Sequence, residues 1–191
     1  MKHSITSFNT KKMLSESLKK FMTQKPLSKV TISEIILDCG INRNTFYYHF
    51  KDIYALLKWM LEQEAVQVIK QFDLLINPED AIIFALNYVK ENKHILNCAF
   101  DTMGRAELKR FFYADFMGIC RSIIDGVEKE FDLHTDENYK QFLCEFYTEG
   151  IAGLLISEIM APNEKQQKKI LQYLTVFMKA SLPAALASHS I

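Results

Sequence analysis

The chain is poor in the residues that interrupt helices. Its 191 residues include only six glycines and four prolines, and no alternating apolar run is punctuated by a hairpin turn of the Asn-Gly kind, so strands have little support. No apolar run approaches the roughly 18 residues that would suggest a bilayer span. The opening "MKHSITSFNTKK" lacks the apolar stretch of a secretory leader, which makes a cytoplasmic location the expectation, with no membrane partner. The four cysteines, Cys39, Cys98, Cys120 and Cys144, form no CxxC pair. Such spacing argues for reduced, mostly buried thiols rather than a disulfide framework or a zinc site, although His94 stands four residues before Cys98. GxGxxG, P-loop, HExxH and GxSxG motifs are also missing. Nothing therefore supports an enzyme, and no cofactor or metal is expected.

Excess charge is absent overall, with 23 basic and 23 acidic residues, but its distribution is uneven. Up to Lys58 the chain carries ten basic and four acidic side chains, so the remainder is net acidic. A basic head on an acidic body suits a protein whose head alone meets a polyanion, because lysine and arginine displace condensed counterions from nucleic acid.

What the sequence does have is helical periodicity, and an all-α protein of about nine helices follows. Met13, Leu14, Leu18, Phe21 and Met22 form an apolar stripe on a first helix expected from about Thr10 to Met22. Thr31 and Glu34 stand in N-cap and N3 register, predicting a capping box at the start of a second helix. Gly40 ends that helix, since glycine enters the left-handed conformation without steric cost. Asn42 is a plausible cap for a short third helix over roughly Arg43 to Phe50. Asp52 can cap a long fourth helix reaching about Phe72, and Asn77 with Pro78 another ending near Asn92. Further helices are expected around His94 to Phe100, from about Arg105 to Phe131, from about Asp136 to Met160 and from about Glu164 to Leu182.

Within "GINRNTFYYHFKD", Phe46 and Phe50 are four residues apart and point to the same side, so they should dock on the first two helices. Arg43, Asn44, Tyr47, Tyr48 and Lys51 are left on the opposite surface. Arg43 in the first turn can fork onto guanine O6 and N7, Asn44 or Thr45 can bond a base or phosphate, and the tyrosine hydroxyls with Lys51 can grip phosphates.

The segment from about Phe8 to Leu57, centred on "VTISEIILDCGINRNTFYYHFKDIYALL", resembles the DNA-binding head of the TetR family of transcriptional regulators. The resemblance rests on a helix-two start, a turn glycine, a Tyr-x-His-Phe run and a lysine-bearing link in this order. It implies Tyr47 and His49 as backbone contacts, Thr31 and Ser33 as phosphate contacts, and Arg43, Asn44 and Thr45 as variable base readers. Where the family often has KxK after the phenylalanine, this chain has Lys51, Asp52 and Ile53, which leaves that contact to Lys51 or Lys58. The expected organisation is a helix-turn-helix domain over 1–55, with its motif at about 31–50, and a helical effector and dimerisation domain over 56–191.

In the body, "FYTEGIAGLLISEIM" at 146–160 resembles the penultimate helix of the family's DhaS-type dihydroxyacetone kinase regulators. Gly150 and Gly153 each cost a helix about 1 kcal/mol against alanine, which close approach of another helix can offset. With Leu154 on the same helix and Leu171, Leu174 and Met178 on the last one, they form the expected homodimer face of a four-helix interface; internal core is the alternative. Phe100, Met103, Phe112, Phe116, Cys120 and Tyr147 could line an apolar effector pocket with His94 or Arg121 as polar handle, or equally be solid core. The expected function is a homodimeric, sequence-specific regulator, most simply a repressor on a palindromic operator of double-stranded DNA, modulated by an unknown small molecule. Activation, and a helical interaction protein without DNA affinity, are the alternatives.

Overall fold

The computed structural model describes residues 2–72, 78–160 and 164–190. The expected cap Asn77 and the side chains of Phe112 and Leu171 lie outside the described residues. Among the described residues the structure is helical without strands, apart from one isolated antiparallel bridge between Thr135 and Ser190.

Two compact units emerge. The first comprises residues 1–67 and 92–104, and the second residues 68–91 and 105–191. In the first, α1 spans Lys2–Met22, α2 Ile32–Asp38, α3 Arg43–His49 and α4 Ile53–Leu61. Helix α1 begins eight residues before the sequence suggests. Phe8 supplies a reason: its ring meets Trp59 of α4 edge-on at 5.7 Å. Leu14, Leu18 and Met22 of α1, Ile35 of α2, Phe46 of α3 and Leu56, Leu57 and Met60 of α4 are fully or almost fully buried. Burying side chains of this size is worth about 1.5–3 kcal/mol each, which holds these short helices together. Beyond α4 the chain passes through a π-turn at Glu62–Val66 into α5, Gln67–Ile69.

Local chemistry sets the helix ends. Glu34 N donates to Thr31 Oγ1 at 3.3 Å and Thr31 N donates to Glu34 Oε2 at 3.0 Å, completing the predicted capping box. Gly40 follows α2 with φ +64°, the left-handed value that favours glycine. Asn42 Oδ1 accepts from Thr45 N at 2.8 Å to cap α3, and Asp52 Oδ1 accepts from Ala55 N at 2.7 Å to cap α4.

In the second unit α6 spans Pro78–Glu91, α8 Glu137–Met160 and α9 Glu164–Ala187. Helix α7, Lys93–Glu130, is two helices joined at Gly104, whose φ of +77° and ψ of 166° break the helical path. The two expected helices meet at this break. It also separates the units, the first ending at Gly104 and the second resuming at Arg105. The second unit's core gathers Cys120 and Ile124 of α7, Leu143, Cys144 and Tyr147 of α8, and Leu182 and Leu186 of α9. Leu182 and Leu186 explain why α9 runs past Leu182 and through Pro183: its last turn carries core residues. Thr135 Oγ1 donates to the Leu186 carbonyl at 3.3 Å, and the rings of Tyr139 and His189 stack at 3.7 Å, tying this end to the start of α8.

All four cysteines are free thiols; Cys98, Cys120 and Cys144 are buried, and burial is the first cause raising each thiol above its ordinary value. Among the described residues no helix is long and apolar enough to cross a membrane.

Candidate nucleic-acid interface

Helix α3 is two-sided. Phe46 is fully buried and Phe50, its C-cap, nearly so, while Arg43, Asn44, Tyr47, Tyr48 and Lys51 are exposed. An aromatic chain anchors the buried side, with Phe50 6.1 Å from Phe46 and 6.1 Å from Trp59. The outer side is rigidly backed and chemically varied. It offers a guanidinium, a carboxamide, two phenols and an ammonium, the groups that bond base edges and phosphates.

Hydrogen bonds sort these groups by availability. Asn44 and Ser33 are exposed and make no side-chain hydrogen bond among the described residues. Thr45 is committed inward: its Oγ1 donates to the Asn42 cap oxygen at 3.0 Å. Thr31 Oγ1 likewise donates to Glu34 Oε2 at 2.8 Å while serving as cap. Tyr48 is 73% exposed, with the His49 ring against it at 4.9 Å. Burial first, and then the nearby Lys11 ammonium, push the His49 imidazole below its ordinary range and favour the neutral ring.

The lysine surplus is smaller than residue counting suggests. Lys19 pairs with Glu64 at 2.7 Å, Lys20 with Asp38 at 2.5 Å and Lys25 with Glu34 at 2.5 Å. Lys58 lies 3.4 Å from Glu62. By contrast Lys11, Lys29 and Arg43 make no ion pair among the described residues, and Lys51 reaches Asp52 only at 4.0 Å with its side chain 83% exposed. Asp52, at the middle position of the KxK pattern, caps α4, and Ile53, the first residue of that helix, stands where the pattern would place its second lysine.

The Lys25–Glu34 pair makes the α2 cap acid-sensitive. Hydrogen bonding from Lys25, then from Thr31, holds the Glu34 carboxyl at about 2, below its ordinary 4.5. A carboxyl whose folded value is depressed contributes stability that is present above its unfolded value and lost as pH falls through the folded one. The denaturation midpoint of the protein should therefore exceed that of Glu34→Gln near neutral pH, and the gap should close as pH falls from about 4.5 towards 2. A gap unchanged over that window would show that the capping carboxylate contributes nothing.

The expected dimer face is distributed unevenly. Gly150 is exposed, Gly153, Leu154 and Leu174 are half-buried, and Met178 packs partly buried against the second unit's core. The large apolar side chains on the surface are others: Phe142 and Phe146 of α8, and Tyr173, Val176 and Phe177 of α9. Reading α8 for an i, i+4 stripe through Phe142, Phe146 and Gly150 would have found the first two. Among the residues expected to line a pocket, His94, Phe100 and Met103 belong to the first unit and Phe116, Cys120, Arg121 and Tyr147 to the second. His94 Nε2 lies 3.9 Å from Cys98 Sγ. Cys120 and Tyr147 are core residues, the Tyr147 hydroxyl 2.9 Å from Ser181 Oγ, and Arg121 pairs with Asp125 at 2.9 Å and with Glu137 at 2.5 Å.

Comparison with known proteins agrees with this geometry. Residues 17–60 match the model of bacterial regulatory proteins of the tetR family, and residues 76–180 match a family of transcriptional regulator C-terminal regions. The chain is 24% identical over 175 residues to the HTH-type dhaKLM operon transcriptional activator DhaS of Lactococcus lactis subsp. lactis (strain IL1403), covering 91% of this chain and 92% of that protein. A solved structure of a dihydroxyacetone kinase operon activator DhaS shares the fold, with a TM-score of 0.70 at 21% identity over 91% of this chain and 96% of that one. Both matched families and both relatives are regulators of transcription rather than enzymes. The chain belongs to the TetR family of DNA-binding transcriptional regulators.

Proposed function

We propose that the protein acts as a homodimer whose two α3 helices enter successive major grooves of a palindromic operator. The observation that carries this reading is the two-sided α3: Phe46 and Phe50 lock one side into the first unit while Arg43 and Asn44 stand exposed in its opening turn. A recognition helix presents its N-terminal residues to base edges, so Arg43 and Asn44 are the base readers and Thr45, held by its cap, contributes less. Ser33, Tyr47, Tyr48, His49 and Lys51 hold the phosphates, with the hydroxyl of Thr31 already engaged by its cap. Two-fold symmetry must then place the heads about 34–36 Å apart.

Dimerisation is supported by the α8 and α9 surface. A Cβ added at Gly150 or Gly153 would meet no atom within 4 Å among the described residues, so the close approach that would offset these helical glycines is not made there. A second copy packed on Phe142, Phe146, Tyr173, Val176 and Phe177 would supply it. An effector is the further element of this reading. Two buried polar atoms of the second unit, Asp115 Oδ2 and Thr175 Oγ1, have no hydrogen-bond partner among the described residues, and a polar ligand would provide one.

The sign of regulation has two readings. Operator occupancy by a compact dimer suits repression by exclusion, whereas both relatives bear the name of activator. A reporter promoter carrying the selected operator, with the protein present and absent, separates them by the direction of change.

The test of DNA binding is affinity against salt. Each phosphate contact should add about −0.9 to the slope of log K on log salt for duplex DNA. Arg43→Ala should cost about 1–3 kcal/mol and relax the preference at one base pair per half-site, measured by fluorescence anisotropy on a panel of substituted operators. Unchanged affinity and an unchanged preferred site would remove Arg43 from the interface.

A further inference from the structure

The exposed Arg43 already has a partner on its own helix. Its Nη2 donates to Tyr47 Oη at 3.4 Å, and its guanidinium carbon lies 5.7 Å from the centre of the Tyr47 ring. Helix geometry causes the contact. Residues i and i+4 are neighbours, and a helical side chain leans back over the turn preceding its own Cα, which carries Tyr47 over Arg43. Tyr47 is braced from behind by the fully buried Phe46, whose ring it meets edge-on at 5.6 Å and 86°. A chain of contacts thus runs from the core of the first unit, through a 46% exposed phenol, to the guanidinium.

We propose that Tyr47 is a positioning residue for base recognition, holding the Arg43 guanidinium over the first turns of α3 so that the base pair read by Arg43 depends on Tyr47 as well. The inference rests on the reading of Arg43 as a base reader. Arginine has more rotamer freedom to lose on binding than most side chains, and a partner that orders it beforehand reduces that loss. The hydrogen-bond inventory of the phenol leaves room for a second task. Its oxygen accepts from Arg43, while its own proton is still available for a phosphate oxygen. One side chain would then tie the backbone grip to the base reader.

The two roles predict different patterns. A tyrosine that only grips phosphate changes affinity equally for all sequences, whereas one that orients Arg43 also changes discrimination at the base pair Arg43 reads. The probe is the palindromic duplex that the wild-type protein selects from random-sequence DNA, together with variants substituted at each position of the half-site. The readout is the affinity ratio of matched to substituted duplex at each position. Arg43→Ala identifies its base pair as the position where the ratio collapses. Tyr47→Leu should lower the ratio at that same position by about 2- to 5-fold, the worth of an exposed cation–π pair, on top of a uniform loss. Tyr47→Phe keeps the ring and should retain most of the ratio while losing the uniform part. Tyr47→Gln, without the ring, should behave like Tyr47→Leu and serves as a second variant should that protein fold poorly. In the Arg43→Ala background, Tyr47→Leu should leave the ratio where Arg43→Ala put it. If Tyr47→Leu and Tyr47→Gln weaken matched and substituted duplexes equally at every position, Tyr47 is a phosphate contact alone and the proposal is overturned. Should Arg43→Ala alone leave every ratio unchanged, the base-reader reading itself falls, an outcome recognised without any Tyr47 variant.

Discussion

Phe146→Glu is expected to yield a folded monomer whose affinity for the palindromic duplex falls at least about 100-fold, while its affinity for an isolated half-site stays the same. The first part follows from the surface of α8 and α9. Phe142 and Phe146 are each 55% exposed and lie 6.2 Å apart in a stacked arrangement; Tyr173, Val176 and Phe177 are 64%, 62% and 50% exposed. Tyr147 joins the two helices, meeting Phe146 at 5.6 Å and Phe177 at 6.3 Å. Exposed apolar side chains of this size are what the proposed dimer would cover. With roughly 100 Å² exposed on each of five side chains, and each occurring twice across a two-fold axis, these residues alone account for about 1,000 Å², the lower bound of a specific interface. A glutamate at 146 would place two unpaired carboxylates in that interface, beside Glu145 and Glu149 already present, and uncompensated buried charge costs several kcal/mol. The fold of the single chain should survive, because Phe146 contributes only part of its surface to it.

The second part follows from linkage. Two heads on one dimer bind the second half-site intramolecularly, at an effective concentration that adds a factor of about 10²–10⁴ without any new contact. Sedimentation and anisotropy with whole and half operators measure both parts. A variant that stays dimeric would place the dimer interface elsewhere, and a monomer that holds the palindrome within about tenfold of the native protein would show that joining two heads is not what gives the palindrome its affinity.

The second large effect belongs to the head. Phe46→Ala should destabilise the first unit by about 3–5 kcal/mol, the usual cost of emptying a fully buried phenylalanine site. Phe46 is the anchor of an aromatic series that continues through Phe50 and Trp59 to Phe8 and joins α3 to α4 and α1. Removing it leaves α3, seven residues long, with little to hold it, and an isolated helix so short is not stable in water. Operator binding should disappear at temperatures where the mass of the dimer is unchanged. Chemical denaturation followed by Trp59 fluorescence reports the first unit directly, since Trp59 is the only tryptophan of the chain and packs 6.1 Å from Phe50. A loss below about 1 kcal/mol would mean that α3 is docked by something other than Phe46.

Much of the head was legible because its signals are local. The Thr31–Glu34 capping box, the Asn42 and Asp52 caps and the left-handed Gly40 each involve residues within four positions of one another. The i, i+4 pair Phe46 and Phe50 separated the buried side of α3 from its outer side for the same reason. Less was legible where a residue's role depends on a partner distant in sequence. The start of α1 is not legible locally because Phe8 is placed by Trp59. The end of α9 is not legible locally because the turn around Pro183 is held by Leu182 and Leu186 in the core, a stabilisation that outweighs a proline's local cost.

Charge shows the division most clearly. Composition established that the first part of the chain is rich in lysine, which is a property of the residue list alone. Which lysines are left for a polyanion was decided by folding, because Lys20 meets Asp38 and Lys19 meets Glu64 only when α1 packs on α2 and on the segment after α4. The apolar surface of the second unit divides in the same way. Helical spacing gives α8 and α9 apolar side chains on more than one side, but whether Met178 or Phe177 faces outward depends on how the two helices are rotated against α7, and that rotation is set by the packing of Cys120, Ile124, Leu143 and Leu182. Caps and turns are resolved by bonds within a few residues and can be read along the chain; the partner of a surface charge and the outer side of a buried helix are settled only by long-range packing.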